Sequence, residues 1–138
     1  MKKKIVMIIK IPEIIKNILK TNLNNFRDAI SDFDKVIQLD PNFEDAYYYR
    51  AIAKNSLQDY RGALIDYDKV IELNPKYVQA FSNRASIKSE MQDYEGAISD
   101  YNRVIELNPK YADAYSNKGL VKIKLKDYEG AINDFNIA

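Results

Sequence analysis

One sequence interval recurs along this chain and constrains its fold more than any other feature. The same interval separates three prolines, four aromatic residues and four alanines: Pro41, Pro75 and Pro109; Phe26, Tyr60, Tyr94 and Tyr128; Ala29, Ala63, Ala97 and Ala131. Residues 58–77 and 92–111 are identical at 15 of 20 aligned positions. Self-similarity with a period of roughly 34 residues indicates a repeat architecture, in which each unit buries its apolar surface by stacking on its neighbours.

Each repeat contains two helical patterns. One places its apolar residues at steps of three and four: Tyr60, Ala63, Leu64, Tyr67, Val70 and Ile71. Asp59, Asp93 and Asp127, with Asn25 in the first copy, are the predicted N-caps of these helices. The other helix has a small residue at its centre (Ala51, Ala85, Gly119), which we expect to face Ala63, Ala97 and Ala131 and to allow close helix packing.

Composition argues against catalysis and nucleic-acid binding. The 138 residues include no histidine, which is the commonest general base and metal ligand. They also include no cysteine, so thiolate metal sites and disulfides are excluded. The glycines are isolated, so there is no phosphate-binding loop. A net charge of +1 is too small for a nucleic-acid-binding protein. We therefore expect a protein that is not an enzyme, with no cofactor, no metal and no nucleic-acid partner.

The start of the chain resembles a secretory signal only superficially. Lys2, Lys3 and Lys4 precede a short apolar run, residues 5–9, which stops at Lys10 and is too short for a signal core. No later stretch approaches the roughly 18 apolar residues that a membrane span requires. We expect no cleaved signal, no membrane span and a cytoplasmic location.

The order of aromatic, small residue, alanine, aromatic and proline within each interval resembles the tetratricopeptide repeat family. The resemblance implies an all-α, right-handed superhelical solenoid of antiparallel helix-turn-helix repeats. We predict one domain over residues 1–138. It contains a degenerate first repeat, two complete repeats and a truncated last repeat: 10–43, 44–77, 78–111 and 112–138. Residues 1–9 are an unassigned tail. Residues 13–23 are predicted as the helix that opens the first repeat, with a disordered tail as the alternative.

In this family the first helix of each repeat lines a concave groove, so the resemblance implies a protein-interaction scaffold that binds a peptide or protein segment there. The groove positions predicted to bind the peptide are Tyr48, Tyr49, Ile52, Ser82, Asn83, Ser86, Asn117 and Leu120. Asn83 and Asn117 occupy equivalent positions of successive repeats, and their amides both donate and accept, so they can grip an extended backbone. The alternative is an ordinary solvated helix face.

Other features restrict the partner. Family members that bind acidic chaperone tails use cationic side chains where this chain has Tyr48, Asp113 and Asn117, so we do not expect that activity. The sequence stops at Ala138 inside a helical pattern, which predicts either a fragment of a larger protein or self-association through an uncapped end. Three pairs spaced i,i+3 are predicted to be exposed and to serve solubility: Asp32 with Lys35, Asp66 with Lys69, and Asp100 with Arg103.

Overall fold

The computed structural model describes residues 2–21 and 25–138, and within these ranges it contains helices and no strand. The helices are α1 Lys2–Ile9, α2 Ile11–Thr21, α3 Phe26–Leu39, α4 Glu44–Ser56, α5 Tyr60–Leu73, α6 Val78–Glu90, α7 Tyr94–Leu107, α8 Ala112–Lys124 and α9 Tyr128–Ile137. The predicted all-α fold is confirmed. The helices belong to two compact units, one ending at Pro75 and the other beginning at Lys76, and each is described by itself. A single domain over 1–138 remains a prediction.

Hairpins of consecutive helices are the building blocks of both units. In the unit ending at Pro75, α4 packs against α5 and also against the preceding α3. In the unit from Lys76 onward, α6 packs against α7, α7 against α8, and α8 against α9. Within each unit, a helix that closes one hairpin (α3 or α7) therefore also contacts the opening helix of the next. This arrangement buries the two apolar stripes that the sequence pattern predicts.

The second helix of each hairpin begins at the predicted cap. Asp59, Asp93 and Asp127 each accept a hydrogen bond of 3.0 Å from the backbone N–H of the glycine three residues later. A Cβ atom at Gly62 would lie 2.1 Å from the Asp59 carboxylate. Glycine at this helical position therefore makes room for the capping side chain, and its low helix propensity is offset by the cap.

The turns of the hairpins α4–α5, α6–α7 and α8–α9 each contain a left-handed residue, and in none of the three is it glycine. Gln58, Gln92 and Lys126 have φ of 60°, 66° and 63°. At the end of α6 the N–H of Gln92 donates to the carbonyl of Ser89, and the N–H of Asp93 donates to that of Lys88. These two bonds form a Schellman motif, which satisfies carbonyl groups that the helix end leaves free. The same residue, Asp93, then caps α7.

We expect Gln92→Gly to stabilise the protein by about 0.5–1 kcal/mol, because glycine adopts positive φ without the steric cost that a side chain carries. Chemical denaturation of the full chain measures the difference. Gln38→Gly, inside α3, is the control and should destabilise by up to about 1 kcal/mol. Equal effects of the two substitutions would contradict this account of the turn.

Small residues are buried at the centres of two hairpins, and the last hairpin differs in what its small residue contacts. Ala51 in α4 and Ala63 in α5 are both fully buried, as are Ala85 in α6 and Ala97 in α7. Gly119 in the last hairpin lies against a larger group, because a Cβ atom built there would be 2.8 Å from the ring of Phe135. The Phe135 ring thus takes up space that a methyl group at residue 119 would need.

The first part of the chain is more helical than predicted. Residues 2–9, left unassigned from the sequence, form α1, and the first-repeat helix predicted at 13–23 is observed as α2, Ile11–Thr21. Residues 22 and 23 lie outside the described residues. Pro12 falls in the first turn of α2, where its missing N–H is harmless and its ring separates α2 from α1. Buried isoleucines of α2 join the core formed by α3 and α4: Ile11, Ile15 and Ile18.

Among the helices of residues 2–21 and 25–138, none combines the length and the hydropathy needed to cross a bilayer.

Candidate peptide-binding surface

The predicted binding residues all lie on the opening helices of hairpins, but they belong to different units. Three are on α4 in the unit ending at Pro75: Tyr48, Tyr49 and Ile52. Five are on α6 and α8 in the unit beginning at Lys76: Ser82, Asn83, Ser86, Asn117 and Leu120. The geometry of the two sets is therefore described separately.

The α4 residues are partly engaged in packing within their own unit. The ring of Tyr49 stacks on that of Phe33 with centroids 6.0 Å apart, and Tyr48 lies edge-on to Tyr49 and to Tyr67. Tyr49 and Ile52 also line an apolar cavity of about 180 Å³ beside α2 and α3. Each of the three predicted side chains is half-buried, so part of its surface faces solvent.

Three of the other five residues meet at one cavity. Ser86 of α6 with Asn117 and Leu120 of α8 line a space of about 170 Å³, together with Tyr101 of α7. The rim carries one acidic and one basic side chain, Glu90 and Lys124. The cavity thus combines a hydroxyl, an amide, an apolar side chain and charges of both signs. Ser82 and Asn83 are half-buried on α6.

Tyr101 supplies a buried phenol to this cavity. Burial, and then the negative charge of Asp100, raise its pKa from 10.0 to about 12. The hydroxyl therefore stays protonated well beyond neutral pH and can serve as a hydrogen-bond donor. Because the folded-state pKa is the higher one, its contribution to stability is present below pH 10 and is lost as the pH rises toward 12.

The prediction that Asp66 forms an exposed pair with Lys69 is wrong. Asp66 is almost fully buried, and its carboxylate accepts two hydrogen bonds from Arg50, of 2.7 and 2.9 Å. Lys54 lies 2.8 Å from the same carboxylate, and Lys69 instead pairs with Glu72. Burial by itself lowers the pKa of the Arg50 guanidinium, but the hydrogen bonds that it donates to Asp66 and Asp34, together with the charges of these carboxylates, outweigh burial and raise that pKa. The carboxylate faces α4 because it shares the helix face of Ala63 and Tyr67.

The same correction applies to Asp100. It is buried and held by Arg84 at 2.6 and 2.8 Å, with Lys88 at 3.0 Å, whereas Arg103 pairs with Glu106. In the last hairpin two lysines hold Asp134: Lys118 at 3.2 Å and Lys122 at 2.8 Å. A lysine cannot form the planar bidentate contact of arginine, so the carboxylate of Asp134 lacks the paired hydrogen bonds that Asp66 and Asp100 accept. Only the Asp32–Lys35 pair is exposed as predicted, at 3.8 Å.

These buried ion pairs left a signal in the sequence. The three aspartates recur once per repeat, and each follows its arginine or lysine partner by the same interval: Asp66, Asp100 and Asp134 after Arg50, Arg84 and Lys118. Each of these cations also lies over the aromatic ring three positions earlier, at 5.5–5.8 Å from its centroid. A repeated acid–base spacing that spans two helices therefore indicated a buried network.

Comparison with known proteins supports the fold. No curated protein matches the sequence. The solved structure titled "Crystal structure of MamA" is 24% identical over 91% of this chain and 77% of that chain, with a TM-score of 0.83. A tetratricopeptide repeat protein from Parabacteroides merdae ATCC 43184 is 23% identical over 93% of this chain and 52% of that chain, with a TM-score of 0.84. These likenesses show the all-α helical-repeat fold.

A third solved structure carries a peptide. It is described as the first TPR of Spaghetti (RPAP3) bound to HSP90 peptide SRMEEVD, and it is 26% identical over 91% of this chain and 94% of that chain, with a TM-score of 0.73. Two family models also match the sequence: one described as "Tetratricopeptide repeat" over residues 21–80, and one described as "TPR repeat" over residues 86–126. On these matches and the observed helical hairpins, the chain belongs to the tetratricopeptide repeat family.

Proposed function

We propose that this chain is a non-catalytic protein-binding module that holds an extended peptide segment on the face formed by α6 and α8. The observation that carries the proposal is the cavity where Ser86, Asn117 and Leu120 meet above Tyr101. Its apolar side chain can contact a side chain of a bound peptide, and its hydrogen-bonding groups can contact the peptide backbone. The peptide bound by the RPAP3 domain of the same fold supports this class of function.

Two asparagines are proposed to form hydrogen bonds with the backbone of the bound peptide. Asn117 lines the cavity on α8, and Asn83 occupies the equivalent position on α6. A side-chain amide donates to a peptide carbonyl and accepts from a peptide N–H at once, so it reads the backbone rather than one side chain. Leu120, which is more than half exposed, supplies apolar surface for a neighbouring side chain. Tyr48, Tyr49 and Ile52 of α4 belong to the other unit and are proposed as a separate apolar contact for a peptide.

Selection of random displayed peptides on the full chain tests the proposal. For the strongest binder, we expect Asn117→Ala to weaken binding about five- to twentyfold, because a buried peptide group loses its partner. The Asn83→Ala variant should have a similar effect, and Leu120→Ser should cost about tenfold. Fluorescence anisotropy with the labelled peptide measures each dissociation constant.

Matched substitutions outside this face serve as controls. Asn133→Ala on α9 and Ile65→Ser on α5 replace exposed residues of the same types and should leave binding unchanged. The peptide SRMEEVD is the negative probe, because Tyr48, Asp113 and Asn117 provide no cation for its carboxylates. If no peptide is selected, or if the controls weaken binding as much as Asn117→Ala, the proposal is wrong.

Self-association is a second candidate, favoured by the surface of α9. Tyr128 and Ile132 are each 59% exposed and Phe135 is 38% exposed. Tyr94 and Ile98 at the equivalent positions of α7 are less exposed, because α8 packs on that helix. A second copy that covers α9 would bury this stripe. Sedimentation velocity should then show association that rises with concentration and falls in Ile132→Ser, whereas a monomer at every concentration dismisses it.

A further inference from the structure

The helix α1 carries an apolar face that is open to solvent. Ile5, Val6 and Ile9 are 54%, 49% and 73% exposed. At about 100° per residue, these three side chains project within an arc of about 100°, so they form one continuous stripe. Aliphatic side chains on one side of a short helix are costly to leave in water and indicate a binding surface.

Lysines lie within, beside and opposite this stripe. At the same angular step Lys2 projects within its arc at the start of the helix, Lys3 and Lys10 lie beside its Val6 edge, and Lys4 lies on the opposite side. All four are exposed, and no carboxylate of the described residues forms an ion pair with them. The charged ends of Lys2, Lys3 and Lys10 can therefore reach a surface that also receives the apolar side chains, whereas Lys4 points away from it.

The net charge of the segment that contains α1 is positive, whereas that of the rest of the chain is negative. Residues 2–12 contain four lysines and no acidic residue, so they carry a charge of +4. Because the whole chain carries +1, the remainder carries −3. An anionic surface would thus attract α1 and repel the rest of the molecule weakly. This asymmetry orients the protein with α1 toward the surface.

We propose that α1 binds the surface of an anionic lipid bilayer. Ile5, Val6 and Ile9 enter the boundary between headgroups and acyl chains, while Lys2, Lys3 and Lys10 contact lipid phosphates. A partner protein with an apolar groove is a weaker match, because it would have to be acidic on several sides of the helix. Three aliphatic side chains and three lysines give reversible rather than permanent attachment.

The location of α1 allows this binding without disturbing the repeats. Pro12, in the first turn of α2, interrupts the helix, so α1 is a separate element that packs on α2 and α3. The proposed peptide-binding residues on α6 and α8 belong to the other unit. The inference is therefore independent of the peptide-binding function, and either one can fail without the other.

Co-sedimentation of the full chain with vesicles tests the proposal. We expect binding to vesicles of phosphatidylcholine mixed three to one with phosphatidylglycerol, and little binding to phosphatidylcholine alone. Raising the salt from about 0.1 M to about 0.5 M should weaken binding strongly, because the screening length falls to a few ångströms. Replacing Lys2, Lys3 and Lys10 with glutamine should reduce the partition coefficient on the order of one hundredfold.

The apolar stripe is tested by Ile9→Ser, which should weaken vesicle binding about tenfold. Two controls should bind like the original protein: Ile65→Ser, an exposed isoleucine on α5, and a triple glutamine variant of Arg61, Lys110 and Lys126. Circular dichroism checks that each variant keeps its helices. Equal binding to both vesicle types, an effect of the controls, or no effect of Ile9→Ser overturns the proposal. It is also overturned if the α1 substitutions alter only self-association without lipid.

Discussion

Replacing Asp66 with alanine is expected to lower the free energy of unfolding by about 3–5 kcal/mol, because it leaves buried cations without their partner. The carboxylate is buried in α5 and holds two cations of α4, Arg50 and Lys54. Without it, both cations remain in a poorly hydrated location with no opposite charge beside them, apart from the contact of Arg50 with Asp34. Urea denaturation followed by circular dichroism measures the loss.

A second variant separates the value of the ion pairs from the cost of breaking them. Replacing Asp66 with leucine together with Arg50 and Lys54 with methionine removes every charge of the cluster at once. We expect this variant to recover most of the lost stability, because the desolvation cost of buried ions often cancels their attraction. Asp32→Ala, which removes a partly exposed partner of Lys35, should change stability by less than about 0.5 kcal/mol. Equal losses for Asp66→Ala and Asp32→Ala would refute a buried network.

The helices and their caps were predictable because their causes are local. An apolar period, a capping aspartate and a proline act within a few residues of one another, so each hairpin could be located from the sequence. The burial of Asp66 depends on which face of α5 packs against α4, and the i,i+3 spacing of charges within α5 cannot predict that face. The interval between Arg50 and Asp66 can predict it, because the same interval recurs in the following repeats.

Two features could not be predicted from the repeat pattern: the helix α1 and the cavity beside α6 and α8. The helix α1 has no counterpart in the next repeat, so the pattern offered no basis for assigning residues 2–9. The cavity beside α6 and α8 depends on how closely two opening helices approach over Tyr101. That separation follows from the packing of several side chains together. The sequence predicted Ser86, Asn117 and Leu120 as groove residues, but it could not indicate that these three meet at one cavity.

Tyr101 and Phe135 occupy equivalent positions in successive repeats and should nevertheless differ greatly in their contribution to stability. Tyr101 on α7 is 3% exposed because α8 packs against that helix. We expect Tyr101→Ala to destabilise the protein by about 3–5 kcal/mol, the usual cost of deleting a buried aromatic ring. Phe135 on α9 is 38% exposed, so Phe135→Ala should cost only about 1–2 kcal/mol in dilute solution.

The comparison also tests what covers α9. If a second copy buries Phe135 at high protein concentration, the effect of Phe135→Ala should increase with concentration, because association stabilises the original protein and not the variant. The effect of Tyr101→Ala should stay constant, since Tyr101 is already buried within its own unit. Thermal unfolding over a hundredfold range of concentration distinguishes these outcomes. Similar losses for the two variants in dilute solution would mean that burial by α8 does not set the stability of this position.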